Sequence, residues 1–496
     1  MKHLYILSTI YNSVNYAFEV DSIISDAKNN DVTVLICDGC LGKCNGNTMG
    51  FKLLCSECHK RSLKVLESIS NITILKTSDY FDKEKKYVTY EYDTIKELNS
   101  ILYKNIEVGY SVSSYYISLT RNLTPLITPK LKKLMDGWLK VAIQTADIAD
   151  KVITTDYDMV YIVNGRLFES KAYQEVAFAK GLHVIMGEST TDLHGCHVRM
   201  NFDNIRVHSV VGNTQAILEF WNNSKIPLDE RRKIASSFFE KRASALPTND
   251  KIYAKGQQKG LLPENWNEKK TNIGIFNSSE DEFAAIGGDF VKNNLFESQF
   301  EGIQYLLEKV KDPNIHFYLR VHPNLMNIKY KYHKDLYNLS TKYNNITIIP
   351  GSSPISSYSL MYACDKIITF GSTMGAEAAY AKKEAMVMRP CFYYHLGINF
   401  VPKTKEEVLD FIYGKIKFEP NFDNVLKFSY YYYNNERSFI KNEECRLNNI
   451  IIKLFGRKVT MPYMNLKCST LRLKYCAYLE FLSIVFSKYF ISTKER

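Results

Sequence analysis

The sequence predicts an α/β fold of two doubly wound domains with a helical C-terminal tail. Three observations predict it. The chain has 496 residues, and a single hydrophobic core stops growing at roughly 250 to 300 residues, so two domains are the default. Short apolar runs alternate with helical patterns twice along the chain, as in parallel sheets covered on both faces. A polar stretch with Gly256, Gly260 and Pro263 separates the two series.

In the first series, residues 4–8, 32–37, 72–75, 159–163 and 183–186 read as buried strands, and 130–149 and 170–180 as helices. Residues 93–120 are also mostly helical in pattern. A charged helix over 227–242 runs into the polar stretch. Beyond it, 272–276, 316–321, 346–349, 366–370 and 385–388 read as strands, and 300–311, 331–343, 356–364 and 375–382 as helices. The expected organisation is a first domain over 1–250 with a cysteine-rich insertion at 37–58, a linker over 251–270, a second domain over 271–420, and a basic helical extension over 421–496.

With 45% apolar and 24% charged residues, the composition is that of a globular chain and excludes extended disorder. The first apolar run is too short for a secretory signal, and no stretch offers ~20 uninterrupted apolar residues. A cytoplasmic protein is expected. Net charge is +11, and residues 457–496 carry +6 of it. Between 471 and 490 the apolar positions follow helical spacing, giving a basic amphipathic helix. Such a helix suits an anionic membrane surface or docks on its own protein. Nucleic acid is not an expected partner, because the basic residues are confined to the tail.

Three segments of the second domain place ligand-type groups where strands end. The segment starting at Ile367 closes a strand with Ser372 and Thr373 and opens a helix with Gly375, one turn ahead of Glu377. Small residues allow close backbone approach, and free amides at a helix start favour phosphate; Glu377 is placed to take the hydroxyls of a ribose. The alternative is a plain strand-to-helix turn. FYLRVHPN, from Phe317, delivers Arg320 and His322 at a strand end, where open α/β sheets bind ligands. The segment from Ile273 supplies Ser278, Ser279 and Glu280, which equally fit an ordinary helix cap. A single nucleotide pocket would account for all three.

In the first domain, Arg166 follows one strand, and Glu188, Asp192 and His194 follow the next. A carboxylate there can deprotonate an acceptor hydroxyl, and Arg166 can hold an anion. Glu188 is the first candidate base, with Asp192 and His194 next; all three also fit solvated loop positions. Asp156 and Asp158 read as a surface turn. Eleven cysteines without a secretory signal argue against a disulfide framework. Cys37, Cys44, Cys55 and Cys58, with Cys40 as a substitute, could enclose a structural zinc or an iron–sulfur cluster, or stand as buried unligated thiols.

On the CDG and following cysteines at Cys37, NGR at Asn164, the Glu188 loop, SSEDEF at Ser278, RVHPN at Arg320 and GSTMGAEAAYAKK at Gly371, the chain resembles bacterial capsular polysaccharide biosynthesis proteins of the GT-B glycosyltransferase type. The resemblance spans about residues 1 to 400 and is most specific in the last segment. It implies two Rossmann-like domains facing across a cleft, with a nucleotide sugar on the second and a glycan or lipid-linked glycan acceptor on the first. It also implies transfer without a catalytic metal. Carried onto this chain, it puts Arg320, His322, Ser372, Thr373 and Glu377 on the donor. The glycine usual after the glutamate is Ser189 here. The expected function is sugar transfer to a surface polysaccharide at the inner membrane face. The alternatives are a nucleotide-sugar epimerase and a non-catalytic, metal-bound scaffold in polysaccharide assembly.

Overall fold

A computed structural model describes residues 1–8, 14–191, 197–246, 256–292, 294–434, 439–454, 457–464, 474–475, 477–483 and 485. The chain forms two compact units, residues 1–207 with 436–496, and residues 208–435.

The first unit holds a six-stranded sheet built from β1 (Lys2–Leu7), β2 (Asp31–Ile36), β3 (Ile72–Lys76), β4 (Met159–Val163), β5 (His183–Thr191) and β6 (His197–Asp203). Their order is β3-β2-β1-β4-β5-β6. Each of β1 and β2 buries five consecutive residues, as parallel strands covered on both faces must. β6 pairs with β5 in the antiparallel sense and was not expected. The helix Pro129–Val152 starts where its pattern predicts: Thr128 accepts from Leu131 N at 3.3 Å and Pro129 fills the first helical position. The Asp156–Asp158 turn serves β1, since Asp158 accepts from Lys2 N at 2.7 Å.

In the second unit, β7 (Thr271–Phe276), β8 (Ile315–Arg320), β9 (Ile346–Ile349), β10 (Lys366–Thr369) and β11 (Glu384–Val387) form a wholly parallel sheet. Its order is β11-β10-β7-β8-β9. Both sheets are therefore doubly wound, as the alternating pattern predicts. The unit begins at His208, ahead of the 251–270 stretch. The reason is packing: Ile217, Phe238 and Phe239, from the helices Val210–Asn223 and Leu228–Ala243, share a buried cluster with Val425 and Phe428 of the helix Phe422–Asn434.

After that helix the chain returns to the first unit. Asp21 Oδ1 accepts from the backbone nitrogens of Lys441 at 3.0 Å and Asn442 at 2.7 Å. The extension expected to be helical instead forms an antiparallel hairpin next, β12 (Leu447–Leu454) with β13 (Arg457–Met464). Its run Ile450-Ile451-Ile452 is β-branched and prefers a strand. Cys445 and Met464 beside it are buried with Val20 and Ile23. The described residues of the amphipathic stretch beyond, 474–475, 477–483 and 485, are helical.

Candidate functional site

Strand order in the second unit reverses at β7, whose neighbours are β8 on one side and β10 on the other. Ligands of open α/β sheets bind beyond the carboxyl ends of strands at such a switch point. Here Ser278 Oγ donates to the Phe370 carbonyl at 2.5 Å, tying the end of β7 to the end of β10. Ser278 N donates to Gln299 Oε1 at 3.0 Å. Ser279 Oγ donates to Asp281 at 3.0 Å. Glu280 accepts from Arg389 at 2.8 Å and from Gln299 N at 3.0 Å; burial raises its pKa and Arg389 opposes the rise. The structure thus engages all three residues within the unit, where they shape the edge.

Beyond β10 the chain turns at Gly371, with φ +88° and a would-be Cβ only 2.9 Å from Phe283, so no other residue fits. Ser372 and Thr373 are half-buried. The helix that follows, Met374–Tyr380, spans seven residues, and its first amides are used locally. Gly375 N donates to Ser372 O at 3.0 Å and Ala376 N to Thr373 O at 2.9 Å. The free amides expected for a phosphate are therefore not supplied by this helix. Glu377 is buried at its core side, and Arg242 Nε lies 2.7 Å from Glu377 Oε1. The carboxylate also meets the Tyr358 hydroxyl, whose pKa is raised by burial and next by the charge of Glu377. Arg242 was not among the residues singled out from the sequence, because nothing in its charged helix marks it.

Arg320 and His322 leave β8 in different directions. The Arg320 guanidinium donates to Pro350 O, to Ser353 O at 3.2 Å and to Ser357 Oγ at 3.3 Å. It is 2% exposed, and burial lowers its pKa to about 10. It clamps the loop after β9. His322 Nδ1 accepts from Asn324 N at 3.2 Å, so a neutral ring carries its proton on Nε2, as a donor. His322 N in turn donates to Asn277 Oδ1 at 2.8 Å at the end of β7.

In the first unit, Asn164 and Gly165 after β4 both take positive φ, +58° and +70°. Asparagine tolerates this because its side chain closes the turn, here by accepting from Arg166 N at 3.1 Å. The same side chain donates to Glu188 Oε2 at 3.0 Å. Arg166 Nη1 donates to Ser114 Oγ at 2.7 Å and Ser118 Oγ at 2.8 Å, on the helix Val108–Thr120 whose role the sequence left open. Burial raises the Glu188 pKa while Arg166 and Asn164 oppose the rise. Glu188 and Arg166 thus share one strand-end cluster. Asp192 and His194 lie outside the described residues.

Cys37 ends the run of β2, and Cys55 and Cys58 sit one turn apart on the helix Lys52–Leu66. Burial pushes the Cys44 thiol well up, and the nearby Glu169, Cys37, Cys58 and Cys55 add to the rise. Burial likewise takes Cys37 and Cys40 to about 12, and raises Cys55 and Cys58. Cys40 Sγ lies 3.2 Å from Thr77 Oγ1 and Cys55 Sγ accepts from Asn47 at 3.1 Å. Among the described residues no group of three or more His, Cys, Asp or Glu is arranged to hold a metal ion. The expected zinc or iron–sulfur ligand set therefore does not assemble among the described residues; the five thiols are half-buried, and Cys37 and Cys44 border a cavity of about 10 Å³.

No family model matches the chain, and no curated protein sequence does. Solved structures similar to it include KpsC of Thermosulfurimonas dismutans, a beta Kdo 2,4 transferase, at 12% identity and TM-score 0.34, covering 66% of this chain and 88% of that one. Another is UDP-GlcNAc 2-epimerase from Neisseria meningitidis bound to UDP-GlcNAc, at 13% identity and TM-score 0.26, covering 86% and 98%. A third is HepE of Anabaena in complex with UDP, at 11% identity and TM-score 0.24, covering 87% and 96%.

Proposed function

We propose that the protein is a glycosyltransferase that moves a sugar from a nucleotide-activated donor to a growing capsular or other surface polysaccharide. The observation that carries this reading is the switch point of the second sheet, where Ser278 Oγ ties the end of β7 to the Phe370 carbonyl and the half-buried Ser372 and Thr373 follow β10. Open α/β sheets bind their ligands beyond the strand ends at such a point, and Glu377, one turn on, is the residue proposed for the ribose hydroxyls. The hydroxyls of Ser372 and Thr373 and the Nε2–H of His322 supply neutral donors for the phosphates.

On the first unit, Glu188 takes the proton of the acceptor hydroxyl. The acceptor oxygen forms its bond to the anomeric carbon as the sugar–phosphate bond breaks, and the nucleotide leaves with the bonding pair. A carboxylate whose pKa is raised by burial holds that proton better than a solvated one. Arg166 orients the acceptor beside it. Transfer needs no metal in this scheme.

The test is to incubate the protein with a nucleotide sugar, with and without a glycan or lipid-linked acceptor, and follow the sugar by NMR. Glycan elongation that is lost in Glu188→Gln supports the reading. An epimerised donor formed without acceptor would replace it with the epimerase alternative, and an unchanged donor in every mixture would leave a non-catalytic role.

No helix among the described residues is long and apolar enough to cross a membrane. We propose that the protein meets the inner membrane face through the basic C-terminal stretch; Ala477, Leu479 and Phe481 of that stretch pack with Leu54 and Ile450, which leaves Tyr475 and Tyr478 exposed. Replacing Lys467, Arg472, Lys474 and Lys488 with Glu is expected to abolish sedimentation with phosphatidylglycerol vesicles. Sedimentation that persists would make the stretch a docked terminal helix.

A further inference from the structure

Where the chain returns to the first unit, it is pinned to the helix Val14–Asp26: Asp21 Oδ1 takes the backbone nitrogens of Lys441 and Asn442 and also the Asn442 side-chain amide at 2.8 Å. The short 3-10 turn Glu443–Cys445 that follows is thereby held in place. A groove of about 560 Å³ opens among this turn, the helix Val14–Asp26 and the end of the helix Lys52–Leu66. Its floor and walls are Val20, Ile24, Val65, Ile69 and Met464; Val20 and Met464 are buried and the other three half-buried. Cys445 also lines it, and burial pushes that thiol up to about 12, so it faces the groove as a neutral group.

Lys64, Glu443, Glu444 and Arg446 stand at the edge of the groove, all exposed. Arg446 Nη2 lies 3.3 Å from Glu443 Oε1. That pairing leaves one cation, Lys64, and one carboxylate, Glu444, without an ion pair among the described residues. A cavity of this size takes one small molecule and not the face of a bilayer. An apolar strip with one charge of each sign at its edge matches a molecule with a hydrocarbon chain and a head that carries both charges. A purely anionic head would face Glu444 as a like charge. We propose that the groove binds one molecule of a single-chain zwitterionic lipid, its chain on the apolar floor, its phosphate at Lys64 and its ammonium at Glu444. This site owes nothing to the transferase reading and stands or falls without it.

Titration calorimetry below the critical micelle concentration measures Kd for lauroyl-lysophosphatidylethanolamine, lauroyl-lysophosphatidylglycerol and chain-free glycerophosphoethanolamine. The proteins are the full wild-type chain, Glu444→Lys, Lys64→Glu and Val65→Trp. The wild type binds the zwitterionic lipid roughly tenfold tighter than the anionic one, the worth of one hydrogen bond to a charged group, and does not bind the chain-free head. Glu444→Lys reverses the preference between the two lipids, and Lys64→Glu weakens both about tenfold. Val65→Trp fills the groove and weakens both without altering their order. The two charge variants lie on the surface and keep the fold, which the urea midpoint checks. A wild type that binds neither lipid overturns the proposal, as does a Glu444→Lys chain that keeps the wild-type preference. Undiminished binding in a folded Val65→Trp chain places the lipid elsewhere and overturns it too.

Discussion

Arg199 Nη1 on β6 lies 2.5 Å from Glu19 Oε1 on the helix Val14–Asp26, with the two side chains 4% and 1% exposed. The guanidinium runs across β5 at Gly187, where a Cβ would come within 2.3 Å of Nη2. A buried arginine on an edge strand is thus held between a carboxylate and a glycine.

Removing one partner of such a pair strands the other charge. Arg199→Met is expected to lower the unfolding free energy by about 3–5 kcal/mol, and the double variant Glu19→Leu/Arg199→Met to recover most of it. Urea denaturation of the wild type, the two single variants Arg199→Met and Glu19→Leu, and the double variant checks this. A double variant no better than the single would mean the pair contributes more than its desolvation costs.

The same strand explains what the sequence conceals. The strands are legible up to β5 and again from β7 to β11; in β1, β2, β7 and β8 burial on both faces forces continuous apolar runs, and the half-buried β3 and β4 are short apolar runs too. β6 carries Arg199 and Asn201, so it lacks a continuous apolar run and was not singled out; its pairing with β5 and the ion pair of Arg199 with Glu19 are not visible locally. The helices Val210–Asn223 and Leu228–Ala243 have readable patterns, but a local pattern does not say which sheet a helix covers. Arg242 stayed hidden for the same reason. Arg320 was readable as a strand-end cation but not as a clamp, since the carbonyls it binds belong to a loop about thirty residues on.

Glu188 sets a pH dependence. Burial raises its carboxyl above the ordinary 4.5, so the folded state favours the protonated form. Its contribution to stability is then fullest below the unfolded pKa and is lost as pH rises through the folded one. The stability of the wild type relative to Glu188→Gln should fall with rising pH across that window. The acid limb of kcat/KM should sit above the ordinary glutamate value and vanish in the variant. A limb unchanged in Glu188→Gln would assign the base elsewhere.

Arg320 holds the loop after β9 through two carbonyls. Arg320→Met leaves Pro350 O and Ser353 O without these donors, at about 1–3 kcal/mol each where no water replaces them. Hydrogen exchange at residues 350–357 should accelerate by at least tenfold, while exchange in β1 and β2 stays as it was. Unchanged protection of the loop would show that its packing, and not the guanidinium, holds it. Loss of nucleotide binding in this variant therefore reports loop order and does not make Arg320 a phosphate ligand.

The most direct measurement is the thermal shift of the wild-type chain and Glu377→Gln against a panel of nucleotides and nucleotide sugars. A ligand at about 100 times its Kd stabilises the folded state by about 2.7 kcal/mol, enough to read as a clear rise in melting temperature. The account predicts such a rise for one nucleotide class in the wild type and its loss or sharp reduction in Glu377→Gln. No rise with any nucleotide, or an equal rise in both chains, would contradict it.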